Sequence, residues 1–251
     1  MVKAKKHLGQ HFLIDKNIAS KISLSLLNEK NLPVLEIGPG TGVLTNELIK
    51  RFDNLTLIEI DSESVEYLQQ NYKTGFKLIH GDFLKLDLNE AFDSEFCIIG
   101  NFPYNISSQI LFRMLDFRSM IPELTCMLQK EVAERIASVH GNKTYGILSV
   151  LIQLYYKTEY LFTVNETVFM PPPNVKSAVI RFTRYRDCIE DVDERKLFQV
   201  IKAAFNQRRK TIRNSVKSFI SERTDINNNY FTLRPEQLSP EDFVELTKVL
   251  S

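Results

Sequence analysis

A parallel, doubly wound α/β sheet followed by a small all-helical part is the fold class that this chain of 251 residues predicts. Three observations carry that expectation. Five short apolar runs alternate with helix-like spans, a glycine-rich turn follows the first run, and from Tyr185 onward only helical patterns appear. The chain is therefore expected to divide into residues 1–184 and residues 185–251.

In order, Met1 to Asp15 reads as an irregular basic arm with Lys3, Lys5 and Lys6. Ile18, Ile22, Leu24 and Leu26 then suggest an amphipathic helix. The runs Val34–Ile37, Leu55–Ile58, Phe76–Ile79, Phe96–Ile99 and Thr125–Leu128 are the five expected strands, with helical spans such as Leu44–Phe52 between them. Ile147–Tyr156 is helical in spacing, and two extended stretches, Glu159–Val168 and Val175–Thr183, complete the sheet. Between them Phe169-Met170-Pro171-Pro172-Pro173 fits neither a helix nor a central strand. Asn227-Asn228-Asn229 marks a loop.

With 32 basic and 31 acidic residues, net charge says little about partners, and only the distribution of charge is informative. Cys97, Cys126 and Cys188 are odd in number, far apart and without a CxxC pair, which argues against a disulfide framework and a structural zinc and fits a reducing cytoplasm. His7, His80 and His140 show no ligand spacing, so no metal is expected. No run of 18 apolar residues occurs, and none follows the N-terminal lysines; neither a membrane span nor an export signal is expected.

Gly38-Pro39-Gly40-Thr41-Gly42 follows the first strand and opens a helix, where a glycine-rich turn lets a ligand approach the backbone. An ordinary tight turn is the alternative. A dinucleotide fingerprint would carry a further glycine where this chain has Val43. Glu59 ends the second strand 21 residues after Gly38, near the spacing at which an acidic residue grips ribose hydroxyls; Asp61 competes for the role. Asp82 ends the third strand as either an acceptor for an adenine amino group or a turn cap.

Asn101-Phe102-Pro103-Tyr104 stands at the carboxyl end of the fourth strand, the end at which open α/β sheets bind ligands. An exocyclic purine amine is a weak nucleophile and attacks only when acceptors draw its N–H bonds out of the ring plane. The Asn101 amide offers one such acceptor. Pro103 excludes Phe102 from the helical region, so the Phe102 carbonyl stays available as a second, and Tyr104 could stack on the ring. An amide takes no proton, so the arrangement implies positioning rather than general-base catalysis. A plain strand-to-helix turn is the competing explanation.

These pieces, in this order, look like the class I (Rossmann-like) methyltransferase fold, and the G-x-G-x-G turn resembles that of enzymes using S-adenosylmethionine. Leu8-Gly9-Gln10-His11-Phe12-Leu13, Asn101-Phe102-Pro103-Tyr104 and Phe169-x-Pro171-x-Pro173-x-Val175-x-Ser177 resemble signatures of the rRNA adenine N6,N6-dimethyltransferases. That resemblance implies S-adenosylmethionine as cofactor, held by His11, Leu13, Gly38, Gly40, Glu59, Asp82 and Asn101. It implies that Asn101 and Phe102 face the target amine and that Tyr104 and Phe169 sandwich the adenine. Residues 1–184 would be the catalytic domain and 185–251 a helical RNA-binding domain.

Phe205 to Lys217 reads as one basic helix, with Phe205, Ile212, Val216 and Phe219 on one face and Arg209, Arg213 and Lys217 at four-residue intervals beside it. From Lys202 to Arg223 the basic residues Lys202, Arg208, Arg209, Lys210, Arg213, Lys217 and Arg223 meet a single acidic one, Glu222. Such a run is either a solvated face or a phosphate-binding surface. It resembles the corresponding helix of the bacterial small-subunit enzymes more than that of the large-subunit resistance methylases, and Lys130 to Arg135 points the same way. The resemblance therefore implies dimethylation of two adjacent adenines in the 3'-terminal hairpin loop of 16S rRNA within an immature small subunit, by a cytoplasmic monomer. The alternatives are a large-subunit rRNA methylase, a glutamine or DNA-adenine methyltransferase with a similar turn, and a ribosome-assembly factor that mainly binds RNA.

Overall fold

The computed structural model describes residues 2–251, and Met1, the first residue of the expected arm, lies outside them. The first part of the chain forms β1 (Phe12–Leu13), α1 (Lys16–Ser25), β2 (Val34–Ile37), α2 (Thr45–Leu48), β3 (Leu55–Glu59) and α3 (Ser62–Asn71). There follow β4 (Lys77–His80), α4 (Leu88–Ala91), β5 (Cys97–Asn101), α5 (Ser107–Asp116), β6 (Glu123–Gln129) and α6 (Lys130–Ala137). The remainder comprises α7 (Ile147–Gln153), β7 (Tyr156–Val164), β8 (Phe169–Met170), β9 (Ser177–Arg184), α8 (Glu194–Asn206), α9 (Ile212–Ser215) and α10 (Pro240–Val249).

Seven strands form one sheet in the order β4-β3-β2-β5-β6-β9-β7. The pairs from β4 to β6 are parallel, as expected for the five runs, whereas β9, one of the two stretches that complete the sheet, runs antiparallel to β6. All of Val34, Leu35, Glu36 and Ile37 are buried, as are Cys97, Ile98, Ile99 and Gly100, because helices cover both faces of the parallel part. Each fully buried Val, Leu or Ile there contributes about 1.5–3 kcal/mol. The strand expected over Phe96–Ile99 runs further, through Gly100 to Asn101. Gly100 lies inside β5, where a Cβ would come 2.5 Å from the Ile37 carbonyl oxygen, so only glycine lets β5 run on to Asn101 beside β2.

The chain separates into two compact units, Met1–Ala133 with Glu159–Arg184, and Glu134–Thr158 with Tyr185–Ser251. The expected division at 184/185 therefore misassigns residues 134–158, which pack with the C-terminal helices. Tyr145 is the reason visible in side chains: it is fully buried, edge-on to Phe205 at 6.0 Å, and Phe205 in turn lies 5.8 Å from Phe243 of α10.

Other expectations shift for local reasons. Leu24 is 62% exposed, so the core stripe of α1 is Ala19 and Ile22, with Asp15 capping the helix through the N–H groups of Asn17 and Ile18. α2 is a single turn rather than the whole of Leu44–Phe52, and α7 ends at Gln153 so that Tyr156 begins β7. The basic run is not one helix. α8 stops at Asn206, residues 207–210 form a turn, and α9 restarts at Ile212 after Thr211. Ile212 and Val216 are still buried while Arg209, Lys210, Arg213 and Lys217 are exposed, so the apolar period survives the break. Among the described residues no helix is long and apolar enough to cross a membrane.

Candidate active site and nucleic-acid surface

The sheet order reverses beside β2, whose neighbours β3 and β5 lead away in opposite directions, and ligands of open α/β folds bind at that switch point. An open cavity lies there, with about 930 Å³ of empty space including its mouth. His11, Gly38, Gly40, Glu59, Asp82, Asn101, Phe102 and Tyr104 all line it.

The glycine turn leaves β2 with Gly40 at φ +56°, and a Cβ there would strike the Phe12 ring at 2.8 Å. Its N–H donates to the Glu59 carboxylate at 3.0 Å, and the other Glu59 oxygen accepts from the Asp61 N–H at 2.9 Å. Glu59 is only 4% exposed; burial raises its pKa, and the backbone donors of Asp61 and Gly40 oppose that rise. Asp61 is withdrawn from the competition for a ribose. It caps α3, accepts from Ser64 at 3.1 Å and Gln10 at 3.3 Å, pairs with Lys5, and is not part of the cavity wall. Asp82 accepts from the Leu84 N–H at 2.9 Å, which makes it a turn cap that also lines the cavity.

At the end of β5 the Asn101 side-chain NH2 donates to the His11 carbonyl at 3.0 Å, which fixes which end of the amide is which. Its Oδ1 and the Phe102 carbonyl have no hydrogen-bond partner among the described residues. The Phe102 N–H is tied to the Met127 carbonyl at 2.9 Å, and its ring is buried, so the backbone at this point is anchored to β6. Tyr104 is held by a 2.6 Å hydrogen bond between its hydroxyl and that of Ser177, the last residue of the Phe169–Ser177 motif. Burial raises the Tyr104 pKa. His11 donates Nδ1–H to the Pro171 carbonyl at 2.8 Å, since a carbonyl can only accept, and its ring lies 5.4 Å from that of Tyr104.

Phe169 and Leu13 do not join the site. They face each other across the short β1–β8 ribbon, are 1% and 5% exposed, and belong to the core. Successive strand residues alternate sides, which turns Met170 outward at 59% exposure instead. The expected Tyr104–Phe169 sandwich is thus not formed, and the ring beside Tyr104 is that of His11. Sequence reasoning passed over Gln10, Phe12, Ile60 and Asn105 in the wall, and Glu36 behind it. Glu36 accepts from the Thr45 hydroxyl at 2.7 Å, and burial, with a smaller push from Glu59, moves its pKa from near 4.5 to about 8. A carboxyl that is easier to protonate in the folded state stabilises the fold fully below pH 4.5, and that contribution drains away as pH rises through about 8. Glu36→Gln, whose amide oxygen can still accept from Thr45, should flatten the decline in thermal midpoint between pH 5 and pH 8.5; an unchanged decline would remove Glu36 as its cause.

Among the basic residues, Arg209, Lys210, Arg213 and Lys217 carry no ion pair or side-chain hydrogen bond among the described residues. Arg208 differs. Its guanidinium donates to the carbonyls of Lys143 at 2.6 Å and Asn142 at 3.4 Å and stands 3.8 Å from the Glu236 carboxylate, so it is spent within its own unit.

The family model for ribosomal RNA adenine dimethylase matches residues 1–250. The chain belongs to that family. Two relatives of this dimethylase, both named ribosomal RNA small subunit methyltransferase A, agree along nearly their whole length. The one from Parabacteroides distasonis is 55% identical, covering 99% of this chain and 94% of the relative. The one from Flavobacterium johnsoniae is 57% identical, covering 98% and 95%. The dimethylase also resembles a dimethyladenosine transferase from Plasmodium falciparum, with a TM-score of 0.80 at 24% identity over 94% of this chain and 96% of that one. The 23S rRNA methyltransferase ErmE gives a TM-score of 0.70 at 25% identity, over 94% and 99%. The fold is that of the class I methyltransferases, and the dimethylase is an S-adenosylmethionine-dependent enzyme.

Proposed function

We propose that this enzyme transfers methyl groups to N6 of two adjacent adenines in the 3'-terminal hairpin loop of 16S rRNA, on an immature small subunit. The observation that carries the reading is the orientation of Asn101. Its NH2 is occupied by His11, so its oxygen and the Phe102 carbonyl are two unpaired acceptors on residues that line the cavity together with Tyr104. Two acceptors match the two N–H bonds of an exocyclic amine. Identity of 55–57% to small-subunit enzymes supports the choice of RNA.

The residues present suit S-adenosylmethionine: a backbone turn that a side chain at Gly40 would obstruct, and a carboxylate on Glu59 pinned by two N–H groups with lone pairs left for ribose hydroxyls. When bound, that cofactor supplies an electrophilic methyl group. Glu59 and the glycine turn hold it, Asp82 lies on the wall within the same cavity, and Asn101 and Phe102 hold the amine so that its lone pair leaves conjugation with the ring. Neither acceptor is a base at neutral pH, so the displaced proton leaves to water. A second methylation keeps one N–H for one of the same two acceptors. Arg209, Lys210, Arg213 and Lys217 supply sequence-independent phosphate contacts.

Labelled S-adenosylmethionine offered separately with unmethylated small-subunit particles, large-subunit RNA and tRNA tests the reading. Dimethyladenosine is expected from the small-subunit sample alone; label in large-subunit RNA overturns the choice of RNA. Restoration of small-subunit maturation by a catalytically dead variant would make RNA binding the main task. Tyr104→Ala should raise the KM for RNA and slow transfer about 5- to 160-fold, the value of one base stack at ~1–3 kcal/mol, with cofactor affinity unchanged. An effect on cofactor affinity alone would count against stacking.

A further inference from the structure

Resting on the reading of the helical unit as the RNA-binding part, we propose that the loop of residues 139–144 is a second phosphate-contacting edge of the basic surface, bringing Lys143 beside Arg209 and Lys210, with Arg208 as the positioning residue that holds it there. Every residue of this loop, which joins α6 to α7, is exposed. Gly141 sits at φ +84° with nothing within 4 Å of where a Cβ would be. Such a segment, lacking buried side chains of its own, is expected to wander.

It is instead tied down from the same unit. The Gly141 N–H donates to the Glu236 carbonyl at 2.6 Å, and the Thr144 hydroxyl meets Asn142 Oδ1 at 2.7 Å and the Ser138 hydroxyl at 2.9 Å. Arg208 closes the arrangement by bridging two successive carbonyls, those of Asn142 and Lys143. Both bonds come from one terminal nitrogen while Nε stands 3.8 Å from the Glu236 carboxylate, and a single ammonium cannot serve the two carbonyls and the carboxylate through separate nitrogens of one rigid plane. Because Arg208 lies next to Arg209 and Lys210 in the 207–210 turn, its grip on the Lys143 carbonyl brings the backbone of a third unpaired cationic residue to that turn. Arg208 itself has donors committed to carbonyls and a carboxylate at 3.8 Å, which makes it the least suited of the group to a phosphate.

The test is the affinity of the full-length protein for unmethylated small-subunit particles between 50 and 200 mM KCl. Each lost phosphate contact lowers the slope of log affinity against log salt by about 0.7–0.9. Arg209→Ala and Lys143→Ala should each lower it by about that amount. Arg208→Lys, which preserves the charge, should weaken binding as Lys143→Ala does and add nothing in a Lys143→Ala background. An unchanged slope for Lys143→Ala overturns the loop contact. Parent-like binding by Arg208→Lys, or effects of the two substitutions that add, overturns the positioning role. S-adenosylmethionine affinity, measured alongside, should equal the parent's in every variant, and a loss there would make the defect one of folding and overturn the assignment. Binding to large-subunit RNA instead would sink the substrate reading while the same slopes on that RNA still decide the surface; binding to neither RNA overturns both.

Discussion

Asn101→Ala is expected to bind S-adenosylmethionine within a few-fold of the parent and to lose methyl transfer by about 10²–10³-fold, the usual effect of deleting one preorganised polar group at a reacting centre. The asymmetry follows from where the amide is used. Its nitrogen is committed to the His11 carbonyl of the N-terminal arm, while its oxygen is unpaired at a residue that lines the cavity. Alanine removes the acceptor that draws the adenine amine out of its plane but leaves the glycine turn and Glu59 intact. The Phe102 carbonyl, still fixed by the Phe102 N–H to Met127, is the source of the residual rate. Single-turnover transfer and cofactor affinity measured on one preparation decide the matter: transfer within tenfold of the parent would remove Asn101 from the chemistry.

Glu59→Gln should cost about 10- to 100-fold in cofactor affinity, although glutamine is the closest isostere. Both carboxylate oxygens accept a backbone N–H, one from Gly40 and one from Asp61, at a residue 4% exposed. An amide has one acceptor end, so its NH2 must face one of those donors. A buried N–H left unsatisfied costs about 1–3 kcal/mol, and the Gly40 turn loses its anchor in the process. If the variant binds S-adenosylmethionine like the parent, Glu59 only caps the turn and another group holds the ribose.

Much of the site was legible because its signals are local. A glycine-rich turn after an apolar run, an acidic residue at the end of the next strand and Asn-x-Pro-Tyr after a third need only strand periodicity and backbone sterics, and the structure places Gly40, Glu59, Asn101 and Tyr104 on one cavity wall. Phe169 was misread because its motif carries no register; the pairing Leu13↔Phe169 turns that ring into the core. Ser177 stood in the same motif without a visible role, and only the approach of β9 to the end of β5 makes it the partner of Tyr104. Arg208 looks the same in sequence as Arg209, yet a loop 65 residues away takes its guanidinium.

By itself the sequence determined the alternation of strands and helices, the glycine turn after β2, the Asn-x-Pro-Tyr at the end of β5 and the membership of a family, since each is written in short-range pattern and residue chemistry. The tertiary structure alone decided the antiparallel strand beside β6, the assignment of residues 134–158 to the helical unit, which rings and charges are free, and which end of the Asn101 amide is left without a partner. Those outcomes depend on pairings between residues far apart in the chain, such as His11 with Asn101 at a separation of 90, and no local pattern encodes the partner.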